Sequence, residues 1–181
     1  MSSCNGNYLA SLSVDSTLCI WDIKNGKCLH SMRDIDSDKN LIVFSDDESK
    51  IASQGLDNSI IVWDVKTGKI VSKMVGHQRD ILRVDGLCFN SNGKYLLSSS
   101  KDQKIRLWDV SSGGCLKVFN AGRDMDSAFF TSDGNIIYHG EEGWIVDNYL
   151  VIPLDDLIKM TRKRFANRKL TEEEKKQYYL D

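Results

Sequence analysis

One short block recurs three times in this chain, as Asp15-Ser-Thr-Leu-Cys-Ile-Trp-Asp22, Asp57-Asn-Ser-Ile-Ile-Val-Trp-Asp64 and Asp102-Gln-Lys-Ile-Arg-Leu-Trp-Asp109. Each copy sets an Asp six residues before the Trp, aliphatic residues three and one before it, and an Asp directly after. Trp21 and Trp63 are 42 residues apart, Trp63 and Trp108 are 45 apart. A unit of this length cannot bury its own apolar face, so the repeats must stack and share one.

Within each period the apolar residues come in short β-branched runs divided by Asp/Ser/Gly clusters, the pattern of strands bounded by turns. The second repeat predicts four strands, at 40–44, 50–53, 59–63 and 69–75, and the third predicts four more, at 86–89, 95–98, 104–108 and 115–119. In both, a strand ending in Phe44 or Phe89 stands 19 residues before the Trp; the same count from Trp21 lands on Ser2. The innermost strand of the first repeat is therefore expected to be missing.

The Trp-Asp blocks and their spacing resemble the WD-repeat β-propeller family, whose blades are four-stranded antiparallel sheets. That likeness implies an all-β fold: a partial propeller of about 3.5 blades, an arc of a larger ring, with residues 1–153 as four WD-type repeats. The fourth repeat opens at 127–130 and 135–139 without a Trp-Asp ending. Counting from Gly134 puts Tyr149 at the Trp position, whereas hydrophobic alternation puts Ile152 there, and the only proline, Pro153, ends that strand. An arc leaves blade faces and strand edges in water. Its completion falls to a protein partner, a second copy of the chain or an upstream part of the same protein, the last favoured because the sequence starts inside a repeat.

Residues 154–181 read differently. Leu154, Leu157, Ile158, Thr161 and Phe165 follow a helical period with Asp155 and Asp156 in the first turn, and Thr171-Glu-Glu-Glu174 reads as a capping box for a second short helix. This helical tail is similar to the ends of bacterial WD-repeat proteins of the multidomain sensor type.

The net charge of −2 and pI near 5.9 argue against a general nucleic-acid surface. Lys159, Arg162, Lys163 and Arg164 form the one basic patch, in a tail that also carries six acids, and nucleic-acid contact is the lesser reading of it. No run of about 18 apolar residues or signal peptide is seen, so no membrane contact is expected. The five cysteines lack Cys-x-x-Cys spacing, and Cys88 and Cys115 lie in apolar runs that suit buried thiols; reduced thiols point to a cytoplasmic setting.

The resemblance supplies the site reading. His77 after Gly76, a strand Ser (Ser98 or Ser100), Asp102 and Trp108 match the family's hydrogen-bonded network inside a blade, with Asp15, Trp21, Asp57 and Trp63 as counterparts. The same residue types suggest a hydrolase triad, but no oxyanion hole or nucleophile elbow accompanies them, so the expectation is a structural network and no enzyme. The His position is Ile35 ahead of the second blade and Arg123 ahead of the fourth. His30, His77 and His139 lie in three repeats without ligand spacing, and neither metal nor cofactor is expected. Family position makes Val14, Leu56 and Lys101, just before each turn Asp, and Arg79 and Asp80 in the lengthened approach to the third repeat, candidates for partner binding. The function implied is a platform for protein–protein recognition, or the sensor part of a bacterial signalling or defence protein.

Overall fold

The computed structural model describes residues 1–36, 41–77, 84–120, 128–131, 136–140 and 143–147, with backbone alone for 137–140 and 143–147. Among the described residues all regular structure is β. Four antiparallel sheets follow one another along the chain. The first holds β1 (Tyr8–Leu12), β2 (Leu18–Asp22) and β3 (Lys27–Met32). The second holds β4 (Ile42–Phe44), β5 (Lys50–Gln54), β6 (Ile60–Asp64) and β7 (Ile70–Met74). The third holds β8 (Val84–Phe89), β9 (Tyr95–Ser100), β10 (Lys104–Asp109) and β11 (Cys115–Asn120). The fourth holds β12 (Ala128–Phe130), β13 (Ile136–Gly140) and β14 (Gly143–Asp147). This is the expected partial propeller.

The strands pair in chain order because the turns between them are built the same way each time. The Asp six before each Trp accepts the backbone N–H two residues on: Thr17 to Asp15 at 3.1 Å, Ser59 to Asp57 at 3.2 Å, Lys104 to Asp102 at 3.1 Å. That bond holds the intervening residue left-handed, at φ 63° for Ser16, 60° for Asn58 and 62° for Gln103, a conformation that Asn and polar residues tolerate when the turn repays it. The Asp after each Trp caps the next turn, accepting the backbone N–H of Lys24 two residues on and those of Thr67 and Ser112 three residues on, at 2.8 Å each. A bulge sits just before the Trp of each Trp-Asp pair and adds twist there.

Period-two alternation then gives each blade two apolar faces. Ala10, Leu18, Ile20 and Met32 of the first blade pack against Phe44, Ile51, Ile61, Trp63 and Val65 of the second. The second blade's opposite face, Ala52, Ile60, Val62 and Met74, packs against Val84, Phe89, Leu96, Trp108 and Val110 of the third. We call these the trailing and leading faces. β9 is buried along its whole length because both its faces are covered.

The first sheet has three strands; at the innermost place Ser2 makes one isolated bridge to Leu9, and Met1 and Ala10 exchange two 2.8 Å bonds, so Ser2 holds the register place of Phe44 and Phe89. In the fourth blade Tyr149 and Ile152 lie outside the described residues. Ile137, the counterpart of Leu96, pairs with Val146, and Asp147 takes the place of Asp109. The hairpin closes between Gly140 and Gly143, which shortens the span that the count from Gly134 assumed. Finally, Cys115 is exposed, because it lies on the outermost strand β11, nearly all of which faces water, and Cys88 on the innermost strand β8 is only half-buried. Arg79, Asp80, Arg123, Pro153 and the tail with its basic patch lie outside the described residues.

Candidate functional site

The third blade brings its predicted polar residues together. β9 carries Ser98 and β10 carries Trp108 on the same face; Asp102 holds the turn between them, and His77 arrives from the segment after β7. Trp108 Nε1–H donates to Ser98 Oγ at 2.8 Å, Ser98 Oγ–H to His77 Nε2 at 2.7 Å, and His77 Nδ1–H to Asp102 Oδ2 at 2.9 Å. Of the two serines offered by the sequence, Ser98 joins this chain, while Ser100 accepts the Asp102 backbone N–H at 3.2 Å.

Arg106 is the member that sequence reasoning missed. Its Nη1 donates to the same Asp102 oxygen at 2.8 Å, from a position where the other blades have Cys19 and Ile61. The signal was present: a charged residue stands two before a Trp, in a strand buried on both faces, and it demands a buried counter-charge. Burial pushes the His77 imidazole below its ordinary range, against the pull of Asp102 and with help from the Arg106 charge. Desolvation pushes Asp102 upward, yet His77 and Arg106 outweigh it and hold the carboxylate well below the usual range. The site is therefore an Asp–Arg ion pair carrying a neutral His. Ser98 has no exposed surface and has its lone pair engaged by Trp108, so its hydroxyl is turned away from any substrate.

The other blades keep fragments. Trp21 donates to Ser11 at 2.8 Å in the first. In the second, Ile35 fills the His place fully buried, bridges Gly55 and joins Ile61 in one apolar cluster. Ser53 turns its hydroxyl to the Leu41 carbonyl at 2.7 Å. Asp57, without an imidazole beside it, pairs with Lys73 at 2.8 Å at the surface. Lys73 and then Ser59 hold its carboxyl well below the ordinary range.

The residue just before each turn Asp stands in water. Val14 is 95% exposed and Leu56 62% exposed, and Lys101 is exposed beside a buried Asp102. Leu56 N donates to the Asp34 carbonyl at 3.1 Å and Ile35 N to the Ser16 carbonyl at 3.5 Å, which ties the loops of the first two blades together.

Comparison with known proteins agrees with this geometry. The family described as WD domain, G-beta repeat matches at residues 2–22, 26–64 and 68–109, more than half of the chain. The chain is similar to nuclear distribution protein nudF of Aspergillus niger, 45% identical over 53 residues, 29% of this chain and 11% of that protein. It is 30% identical over 132 residues to pre-mRNA-processing factor 19 homolog 2 of Arabidopsis thaliana, 72% of this chain and 24% of the relative. With human WD repeat-containing protein 36 it shares 32% identity over 105 residues, 58% and 11% respectively. The chain thus spans between about a tenth and a quarter of the length of these relatives. Three matched repeats, each folded as a blade with its Trp-Asp pair at a bulge, place this chain in the WD domain, G-beta repeat family.

Proposed function

We propose that this chain is a rigid platform for protein–protein recognition, with the loop face carrying Val14, Leu56 and Lys101 as its contact surface. The observation that carries this reading is the pairing of a locked turn with a free side chain. Each turn Asp is fixed by hydrogen bonds, while the residue before it, apolar in two blades, stands in water on loops tied to each other. Exposed aliphatic residues on a preorganised frame bind at low ordering cost. The polar network beneath supports a structural use of His77, Ser98 and Asp102 rather than chemistry, and the family is generally one of non-enzymatic scaffolds.

A test compares Val14→Asp and Leu56→Asp with the rim control Val118→Asp, each folded by circular dichroism, in quantitative co-purification from the source cells. Loss of the same specific partners in the first two alone is expected. An unchanged partner set in both would overturn the assignment of this face. Narrower readings belong to the same proposal: that residues 154–181 form a separate helical tail, that the chain is the sensor part of a bacterial multidomain protein, and that it works in the cytoplasm. The tail resemblance and the thiol content are what support them.

A further inference from the structure

The first blade carries cysteine at two places that the other blades do not fill with cysteine together. Cys19 stands two residues before Trp21, and Cys28 is the register partner of Trp21 on β3. In the second blade these places hold Ile61 and Ile70, in the third Arg106 and Cys115. Cys19 and Trp21, two apart on one strand, share the leading face, and Cys28 joins them from directly across. The register shift before Trp21 leaves Leu29 as the extra residue of β3, so Cys19 and Cys28 are diagonal neighbours on adjacent strands. The third blade shows the same diagonal reach, since the Arg106 charge acts on the Cys115 thiol.

Nine residues apart in the sequence, the two cysteines make no Cys-x-x-Cys signature; the hairpin brings them together. The Cys28 thiol lies within hydrogen-bonding reach of the Cys19 thiol, and its Sγ–H also meets the His30 carbonyl at 3.4 Å. Cys28 is exposed and Cys19 half-buried, so a small oxidant has access to the pair. Local desolvation and then the adjacent thiol push Cys28 above the ordinary thiol range, so the reduced pair rests as two thiols at neutral pH.

We propose that Cys19 and Cys28 form a redox modification site, which hydrogen peroxide converts into a reversible disulfide that clamps β3 to β2. The Cys28 thiolate attacks one peroxide oxygen, the O–O bond breaks, and a sulfenic acid and hydroxide result. The Cys19 thiolate then attacks the Cys28 sulfur, the S–S bond forms and the sulfenic hydroxyl leaves as a second hydroxide. Each hydroxide takes up one of the two thiol protons, so two thiols and one peroxide give one disulfide and two waters. The bond joins diagonal rather than directly opposed residues and faces solvent, and both features favour ready reduction. It fixes the strand whose His30 donates from Nε2 to the Lys66 carbonyl of the second blade at 2.9 Å, so oxidation stiffens that strand where it meets the next turn. The inference is independent of the loop-face reading, which uses other residues.

The test treats the full chain with equimolar hydrogen peroxide at neutral pH, caps the remaining thiols with N-ethylmaleimide and maps the tryptic peptides. Cys4→Ser is run beside the wild type, because Cys4 and Cys19 share the peptide 1–24. Both chains should give peptide 1–24 linked to peptide 28–33, in a yield that does not depend on protein concentration and is reversed by dithiothreitol. Cys19→Ser and Cys28→Ser should each abolish the link, and Cys115→Ser should leave it unchanged. Amide hydrogen exchange along β3 should slow by about tenfold in the linked chain, return on reduction and stay unaltered in peroxide-treated Cys19→Ser. Oxidation of Cys28 without the linked peptide, loss of the link in Cys4→Ser, or a yield that rises with concentration would overturn the proposal. Unchanged exchange in the linked chain would end the clamp.

Discussion

The second and third blades share a backbone and solve the same interior differently. In the third, His77 and Arg106 converge on Asp102 and fill the space with a buried charge network. In the second, Ile35 and Ile61 fill the corresponding positions with aliphatic carbon, and Asp57 moves outward to Lys73 at the surface. Equal backbones from unlike interiors mean that the turn, not the network, sets the blade: the bond from each Asp to the N–H two residues on is the part both retain. The network is a way to bury polar groups once the turn exists, and an apolar pair serves the same space.

Breaking the comparison at the two Asp residues should give the largest difference. Asp102→Ala strands Arg106 and leaves His77 without its acceptor, and should lower stability by about 3–5 kcal/mol; Asp57→Ala, which loses a surface pair and one turn bond, should lose only about 1 kcal/mol. Urea unfolding of both variants checks the ratio, and similar losses would mean that the network adds nothing to the turn.

Next comes the exchange of interiors. His77→Ile alone leaves Asp102 and Ser98 short of a partner and should cost about 1–3 kcal/mol. Joining it to Arg106→Ile and Asp102→Asn carries the third blade toward the second and should recover part of that loss. A double-mutant cycle with coupling below about 0.5 kcal/mol would show that the residues do not act as a unit.

Acid should act on the third blade before the second. The folded His77 pKa is lowered by burial, so between it and the unfolded value of about 6.5 the unfolded chain binds the extra proton. The stability tied to neutral His77 is therefore fully present above about pH 6.5 and lost as pH falls below it, at up to about 1.4 kcal/mol per pH unit. The lowered Asp102 pKa has the same sign in a lower window: its contribution is held above about pH 4 and lost on further acidification. Denaturant midpoints from pH 7.5 to 5 should fall for the wild type and flatten in His77→Ile.

The smallest effect distinguishes the serines. Ser98→Ala removes a buried link between two partners and should cost about 1–3 kcal/mol, whereas Ser11→Ala, whose bond to Trp21 lies in an exposed setting, should cost about 0.5 kcal/mol. Thermal unfolding of the pair is sufficient to rank them.

Much of this was legible in the residues. The period, the Trp-Asp pairs and the turn Asp residues are local signals, and strand edges fell within one or two residues of their expected places. His77, Ser98, Asp102 and Trp108 could be named together only through the family resemblance, since residues 77 and 102 come from different hairpins. The choice of Ser98 over Ser100 depended on position along the strand: both share the face of Trp108, but residue 98 lies level with Arg106 beside the Trp, whereas residue 100 ends the strand at the turn. Arg106 escaped because alternation alone sorts residues into faces without saying which polar atom waits across the gap. The fourth blade's register escaped because a shorter hairpin changes the count, and no side-chain pattern fixes a turn length by itself.

By itself the sequence determined the repeat, the strand order and the turn chemistry, because each depends on bonds between residues two to six apart. Tertiary structure decided which faces are covered. Leu9, Ile51 and Leu96 occupy the same place in their repeats, and so do Ile23, Val65 and Val110, yet the first of each set stands in water while the other two are buried. Burial belongs to a pair of blades rather than to one, and the partner that covers a face lies a full repeat away in the chain.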